Sequence, residues 1–357
     1  KHDSLCLLSK YLKMKINTSL KVKVWLLSFL HLLVDGICAY TIFNRLYITE
    51  SNTIIIIVFI GYNTLAFLSQ PLFGYIMDKI GNENIVLTIS LIMLVVGSAF
   101  PLSRYLSLYL IGIGNAMFHI VGGKYSIYLS CDKLAYLGLF VSLGACGLAL
   151  GTYLYKSIVL KIFVVLTLIL GSICHFLKDE IIIVEPKPSF KISDKKKMKC
   201  IMLLILAVTI RAIMGKTTTP LFEATPDVLI VIALFASLGK AFGGILADFI
   251  GIRWTVMLTL PLSLIGYFFF RSNLYIYLFS TLLFNTTMPL TLFLSNKMFQ
   301  YYEGFSFGLL ASVLFIGYLI GELYVYLNLP YLLLLCVSIV LTLFIILYVN
   351  RKVEKSV

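Results

Sequence analysis

Long apolar runs broken by short polar stretches recur along the whole chain, and within them polarity does not alternate from one residue to the next. A helix that crosses a bilayer needs about 20 mostly apolar residues. Twelve segments approach or meet that measure: 24–43, 53–76, 84–100, 105–128, 134–155, 159–177, 200–219, 226–250, 254–270, 274–298, 304–327 and 330–350. A membrane β-barrel would alternate lumen-facing and lipid-facing residues, so the pattern predicts an all-α integral membrane protein. Most loops are short, and one longer polar stretch, 178–199, separates the sixth segment from the seventh. The predicted organisation is a basic tail (1–23), a six-helix bundle (24–177), a linker (178–199), a second six-helix bundle (200–350) and a short tail (351–357). In the first tail, Leu5, Leu7, Leu8, Tyr11 and Leu12 lie among lysines, as in a short interfacial helix. The apolar run that follows has no small-x-small cleavage pattern before Asp35 and reads as an uncleaved first span.

Composition supports the bilayer as solvent. Hydrophobic residues make up 60% of the chain and charged ones 13%, half of the roughly 25% usual in soluble domains. Disordered, collagen-like and disulfide-rich classes are excluded on the same grounds. The net charge is +13, yet a nucleic-acid binder this apolar is not expected, so membrane lipid is the predicted surrounding. With both termini placed in the cytoplasm, 22 Lys and Arg fall on the inner side and six on the outer. That asymmetry sets the orientation of a multi-pass protein of the plasma membrane. The seven cysteines are scattered without a C-x-x-C pair or a histidine at zinc spacing, so neither a metal nor another cofactor is expected.

The two halves match each other at an offset of 170 residues. Gly74, Asp78 and Gly81 align with Gly244, Asp248 and Gly251; Tyr105, Asn115 and Gly138 align with Tyr275, Asn285 and Gly308; Gly147 and Gly151 align with Gly317 and Gly321. A parallel repeat of six spans is the mark of a transporter whose halves rock about a central site. The loop Gly74-Tyr-Ile-Met-Asp78-Lys79-Ile-Gly81 resembles the signature loop of the major facilitator superfamily, and Gly244-Ile-Leu-Ala-Asp248-Phe-Ile-Gly251-Ile-Arg253 is similar to its second copy. The resemblance implies two pseudo-symmetric six-helix bundles, a monomer, and a conformational latch formed by Gly74, Asp78, Gly81, Gly244, Asp248, Gly251 and Arg253. In the first copy Asn82-Glu83-Asn84 replaces the basic residues of the usual pattern, which implies a weaker charge latch there. His31-Leu-Leu-Val-Asp35 and Phe118-His119-Ile-Val-Gly122-Gly123 resemble stretches of fosmidomycin-resistance-type exporters, although the usual Pro after the histidine is missing.

A charge at mid-bilayer costs several kcal/mol, from about 3 upward, so each intramembrane ionisable group is a candidate site. At about 1.5 Å per residue, Asp35 lies roughly 16 Å into its span and His119 roughly 14 Å into its own, both measured from the cytoplasmic side. The resemblance places those two spans at the cavity, so Asp35 and His119 form a candidate proton-coupling pair, with His31 one turn below Asp35 and Glu322 a further carrier. Arg211, too far in depth from Glu322 to pair with it, is a candidate for a substrate carboxylate or phosphate. Asn63, Asn115 and Asn285 are candidate substrate-binding amides. Lys124 and Lys240, a turn from the inner surface, read as snorkelling. Gly138, Gly144, Gly147 and Gly151 predict close helix approach.

An enzyme would need clustered carboxylates, an H-E-x-x-H pair or a nucleophile elbow, and none is present. Gly215-Lys216-Thr217 ends like a phosphate-binding loop, but position 210 is Ile, so ATP-driven transport is not expected either. A receptor or scaffold would carry Asp35, Arg211 and Glu322 at a cost without return. The expectation is a non-enzymatic secondary transporter of a small molecule, coupled to protons by antiport, with efflux of an amphipathic or drug-like compound ahead of uptake or exchange of an anionic metabolite.

Overall fold

The computed structural model describes residues 18–46, 52–177, 195–299, 301–327 and 330–356. The expected interfacial helix at 5–12 and most of the linker lie outside them. Among the described residues every regular element is helical. The first half contains α1 (Thr18–Thr41, continuing into a π-helical turn Ile42–Leu46), α2 (Asn52–Asn63), a π-helical turn (Thr64–Leu68), α3 (Gln70–Ile80), α4 (Glu83–Ala99), α5 (Arg104–Ser130), α6 (Leu134–Tyr153) and α7 (Val159–Phe176). The second contains α8 (Lys195–Thr217), α9 (Pro226–Phe269), α10 (Leu274–Asn285), α11 (Thr287–Met298), α12 (Glu303–Tyr326) and α13 (Tyr331–Ser356).

Local chemistry sets the boundaries. Ser103, Thr225 and Asn273 each accept from a backbone amide three residues on, capping α5, α9 and α10, and Pro226 follows its cap at the first helical position. Nine helices among the described residues are long and apolar enough to cross a bilayer. The other expected segments are present as helix in a less regular form. Segment 53–76 is divided among α2, a π-helical turn and α3, and α4 has 17 residues. Segments 226–250 and 254–270 share α9, whose 44 residues are broken where Gly251 leaves helical geometry at φ 80° and ψ 159°. Helix α1 is described from Thr18, six residues before the expected span, and within that extension Lys23 is buried and donates to Asn84 Oδ1 at 2.7 Å.

Each half has its own apolar core, and each core is completed by the other half. Phe307, Leu310 and Val313 of α12 pack into the first core, and Leu134 of α6 packs into the second. The repeat is visible in what the glycines touch. A Cβ at Gly147 or Gly151 would strike the α1 backbone at Leu32 or Gly36, and one at Gly317 or Gly321 would strike α8 at Thr209 or Ile213. A Cβ at Gly138 would meet α9 at the carbonyl of Lys240, and one at Gly308 would meet the start of α3 at Gln70. Corresponding glycines therefore hold corresponding helix pairs, α6 on α1 and α9, α12 on α8 and α3.

Candidate functional site

Two pairs of residues, each one helical turn apart, face each other inside the first half. Helix α1 carries His31 and Asp35, and α5 carries Asn115 and His119; a spacing of four puts each pair on one helix face. The Nε2 atoms of His31 and His119 are 2.9 Å apart. Asp35 Oδ2 lies 3.3 Å from His31 Nε2 and Asp35 Oδ1 lies 3.7 Å from His119 Nε2. Asn115 Nδ2 donates to Asp35 Oδ1 at 2.9 Å.

Backbone carbonyls decide how the rings are protonated. His31 Nδ1 is 2.8 Å from the carbonyl oxygen of Phe140, and His119 Nδ1 is 2.9 Å from that of Asn115. A carbonyl oxygen only accepts, so each Nδ1 carries its hydrogen and each neutral ring presents a lone pair at Nε2. Two lone pairs and a carboxylate then converge on one small space. Three acceptors so close repel one another unless a positive centre sits among them. A proton shared among them would relieve that repulsion.

The surroundings fix it in place. The Phe140 ring stacks on His31 with centroids 4.2 Å apart. Gly144 leaves the room in which the His31 ring sits, and Gly122 does the same for Phe140. Both histidines are buried, whereas the Asp35 side chain keeps 16% of its surface accessible. Access to the cluster therefore runs past the carboxylate. Lys240 of α9 is half-buried where α9 meets α6 at Gly138.

The other expected site residues are placed elsewhere. Arg211 is buried beside the break between α10 and α11, with Thr287 Oγ1 and Thr291 Oγ1 at 3.4 and 3.5 Å from Nη1 and Met288 Sδ at 2.6 Å from Nη2. These neighbours are all neutral. Glu322 does not approach Arg211, as the depths predicted; it pairs with Lys216 at 2.7 Å and accepts from Tyr318 at 2.5 Å. Asn63 and Asn285 donate to their own helices, at Phe59 and Thr281, and neither joins the cluster. Asn115, expected to meet substrate, instead orients Asp35. Its repeat partner Asn285 has no such acid to bind, because position 205 holds Ile where the first half has Asp35.

The signature loops form two related clasps. Asp78 accepts from the amides of Gly304 and Phe305 at the start of α12, at 3.1 and 2.8 Å. Asp248 accepts from the amides of Leu134 and Ala135 at the start of α6, at 2.7 and 2.9 Å. Each carboxylate thus caps a helix of the opposite half, where the unpaired amides and the helix dipole favour negative charge. Gly81 and Gly251, with φ of 69° and 80°, turn the chain after each clasp through backbone that side chains disfavour. Gly74 and Gly244 allow contact, with Gly304 and Leu134 respectively standing where a Cβ would go. Arg253 is exposed, with its guanidinium over the Trp254 ring, and does not reach Asp248.

Sequence reasoning missed how the first clasp is charged. Lys124 lies 3.4 Å from Asp78 and 2.5 Å from Glu83, so it bridges two acids at the place where the loop lacks its usual basic residues. Lys124 was expected to snorkel, and it is buried in an ion-pair network instead. The available signal was its depth, close to that of the loop carrying Asp78.

Neither a family model nor a curated protein sequence matches the chain. Among solved structures it is similar to the crystal structure of a major facilitator superfamily transporter, FucP, in the outward conformation. That likeness has a TM-score of 0.68 at 14% identity and covers 93% of this chain and 99% of the other. The chain therefore has the major facilitator fold, all-α with two related halves.

Proposed function

We propose that the protein is a secondary transporter that works by alternating access between its two halves, with twelve spans, both termini in the cytoplasm and the monomer as its working unit. The observation that carries this reading is the buried Asp35–His31–His119 cluster in a major facilitator fold, with two ring nitrogens 2.9 Å apart and no hydrogen of their own to share. A proton bound there relieves the repulsion, and its release past Asp35 restores it. That gives the fold a proton-dependent switch inside its first half. Glu322 lies apart from the cluster, paired with Lys216 and Tyr318 in the second half, so any proton it carries would move there separately. On the orientation read from loop charge, the Asp78 and Asp248 clasps would lie on the cytoplasmic side and hold that end shut.

Proton-coupled export of a small amphipathic compound is the leading direction. Uptake or exchange of an anionic metabolite is the second reading, favoured by the neutral hydrogen-bond partners of Arg211. In proteoliposomes an imposed proton gradient is expected to drive flux, and Asp35→Asn to abolish the gradient dependence while the protein stays folded. Normal uphill transport by Asp35→Asn would refute the coupling. Selective loss of anionic substrates in Arg211→Ala would favour the second reading over the first.

A further inference from the structure

The ligand set of the cluster suits more than a proton. We propose that His31, Asp35 and His119 form a binding site for a small divalent transition-metal ion of zinc type, through His31 Nε2, His119 Nε2 and a carboxylate oxygen of Asp35. The donor atoms of these three residues all lie within 4.8 Å of one another. Zinc bonds to nitrogen and oxygen ligands at about 2.0–2.2 Å, which sets ligand-to-ligand distances near 3.3 Å in a tetrahedron. The two Nε2 atoms are 2.9 Å apart, and Asp35 approaches them with different oxygens, Oδ2 at 3.3 Å from His31 and Oδ1 at 3.7 Å from His119. Seating an ion therefore requires the rings to part by a few tenths of an ångström and the carboxylate to turn one oxygen, or both, towards the ion.

Three further features point the same way. Each ring is held by a hydrogen bond from Nδ1 to a backbone carbonyl, the outer support that fixes a metal-binding histidine in the tautomer with Nε2 free. The carboxylate is steadied by Asn115, whose own Oδ1 is buried without a hydrogen-bond donor among the described residues and is a nearby candidate for a further ligand. Asp35 keeps part of its surface accessible, which leaves a path for the ion and room for an open coordination position. Two imidazoles and one carboxylate select zinc, cobalt or nickel over magnesium or calcium, which prefer oxygen ligands. Metal and proton would compete for the same lone pairs, so the ion would occupy the coupling site and displace the proton.

The inference rests on the same cluster as the proton reading, and binding is measured without transport, so either reading can fail alone. Tag-free full-length protein in lipid nanodiscs is titrated with cobalt(II) and followed by visible absorption. The expected result is one cobalt per chain with the intense ligand-field bands of low coordination, displaced by zinc and unaffected by excess magnesium or calcium. His31→Asn and His119→Gln should each abolish the bands. In His119→Cys the bands should persist, with a new sulfur-to-cobalt charge-transfer band absent from the wild type; a misfolded protein would not produce that gain. The proposal is overturned if the wild type shows no ligand-field bands, if the bands survive in His31→Asn and His119→Gln, or if His119→Cys yields no new transition. Proton-driven flux measured separately in chelator-treated proteoliposomes reports on coupling alone. Flux that persists without cobalt binding overturns only the metal site, and cobalt binding without proton-driven flux overturns only the coupling.

Discussion

Gly144 shows how much a single hydrogen atom in place of a side chain decides. The His31 ring fills the space a Cβ would need, so Gly144→Ala must push the ring away from His119 or from the Phe140 carbonyl. Overpacking of this kind costs about 1–3 kcal/mol. The expected outcome is a lower thermal midpoint in detergent together with loss of the proton-gradient dependence of flux. Gly215→Ala is the matched control: nothing stands within 4 Å of the added methyl group, and alanine favours a helix by up to about 1 kcal/mol over glycine, so the midpoint should hold or rise. Lys124 offers a second test at this scale. Lys124→Met strands the buried carboxylate of Asp78 and the partly buried one of Glu83 and should cost about 3–5 kcal/mol. Adding Glu83→Gln removes one stranded charge and should recover part of that loss, measurable as a double-mutant cycle of unfolding midpoints. Parts of this were legible in the sequence and parts were not. The spacing of His31 and Asp35 and the matched depths of Asp35 and His119 announced the cluster. Nothing in the spacing showed that Asn115 would donate to Asp35, or that Glu83 would meet Lys124, because contacts between helices far apart in sequence leave no periodic trace.

Among the elements, apolar length located the helices well and their irregularities poorly. A straight helix of 44 residues would extend about 66 Å, over twice the roughly 30 Å hydrocarbon core, so α9 had to break, and Gly251 is where it does. The π-helical turn at Thr64–Leu68 is followed by Pro71 and the break at Thr286 by Pro289, each without the amide that would bond one turn back, so both irregularities had a sign in the sequence that apolar length alone does not read. The helix pairs that join the halves, α3 with α12 and α6 with α9, are held by the two clasps. A hydrogen bond to a charged group contributes about 1.5–3 kcal/mol, and each aspartate accepts two. Asp78→Asn with Asp248→Asn should therefore shift the population towards the state open at this end. Spin labels at the exposed Ile80 and Phe249 would report it as a longer distance distribution, with either single variant intermediate. An unchanged distribution in the double variant would show that the apolar interface, rather than the carboxylates, keeps this end shut.

At the scale of the whole molecule the repeat is complete in packing and incomplete in chemistry. Glycines, clasps and cores correspond between the halves, while the histidines and Asp35 occur in the first half and Arg211 in the second. The matching glycines were readable because both copies need the same close approach. The division of charges was readable as a list of residues, though not as an arrangement. The clasps have one more consequence, for how the protein tolerates mutation. On the receiving side the partners are main-chain amides of residues 134, 135, 304 and 305, which every amino acid except proline supplies. Ala135 can therefore drift in identity without undoing the clasp, whereas Leu134 and Phe305 also fill the second core, and the hydrogen bonds themselves depend on two aspartates. A library randomised at Ala135 should retain far more variants with this end shut, read by the same spin-label distances, than one randomised at Asp78 and Asp248.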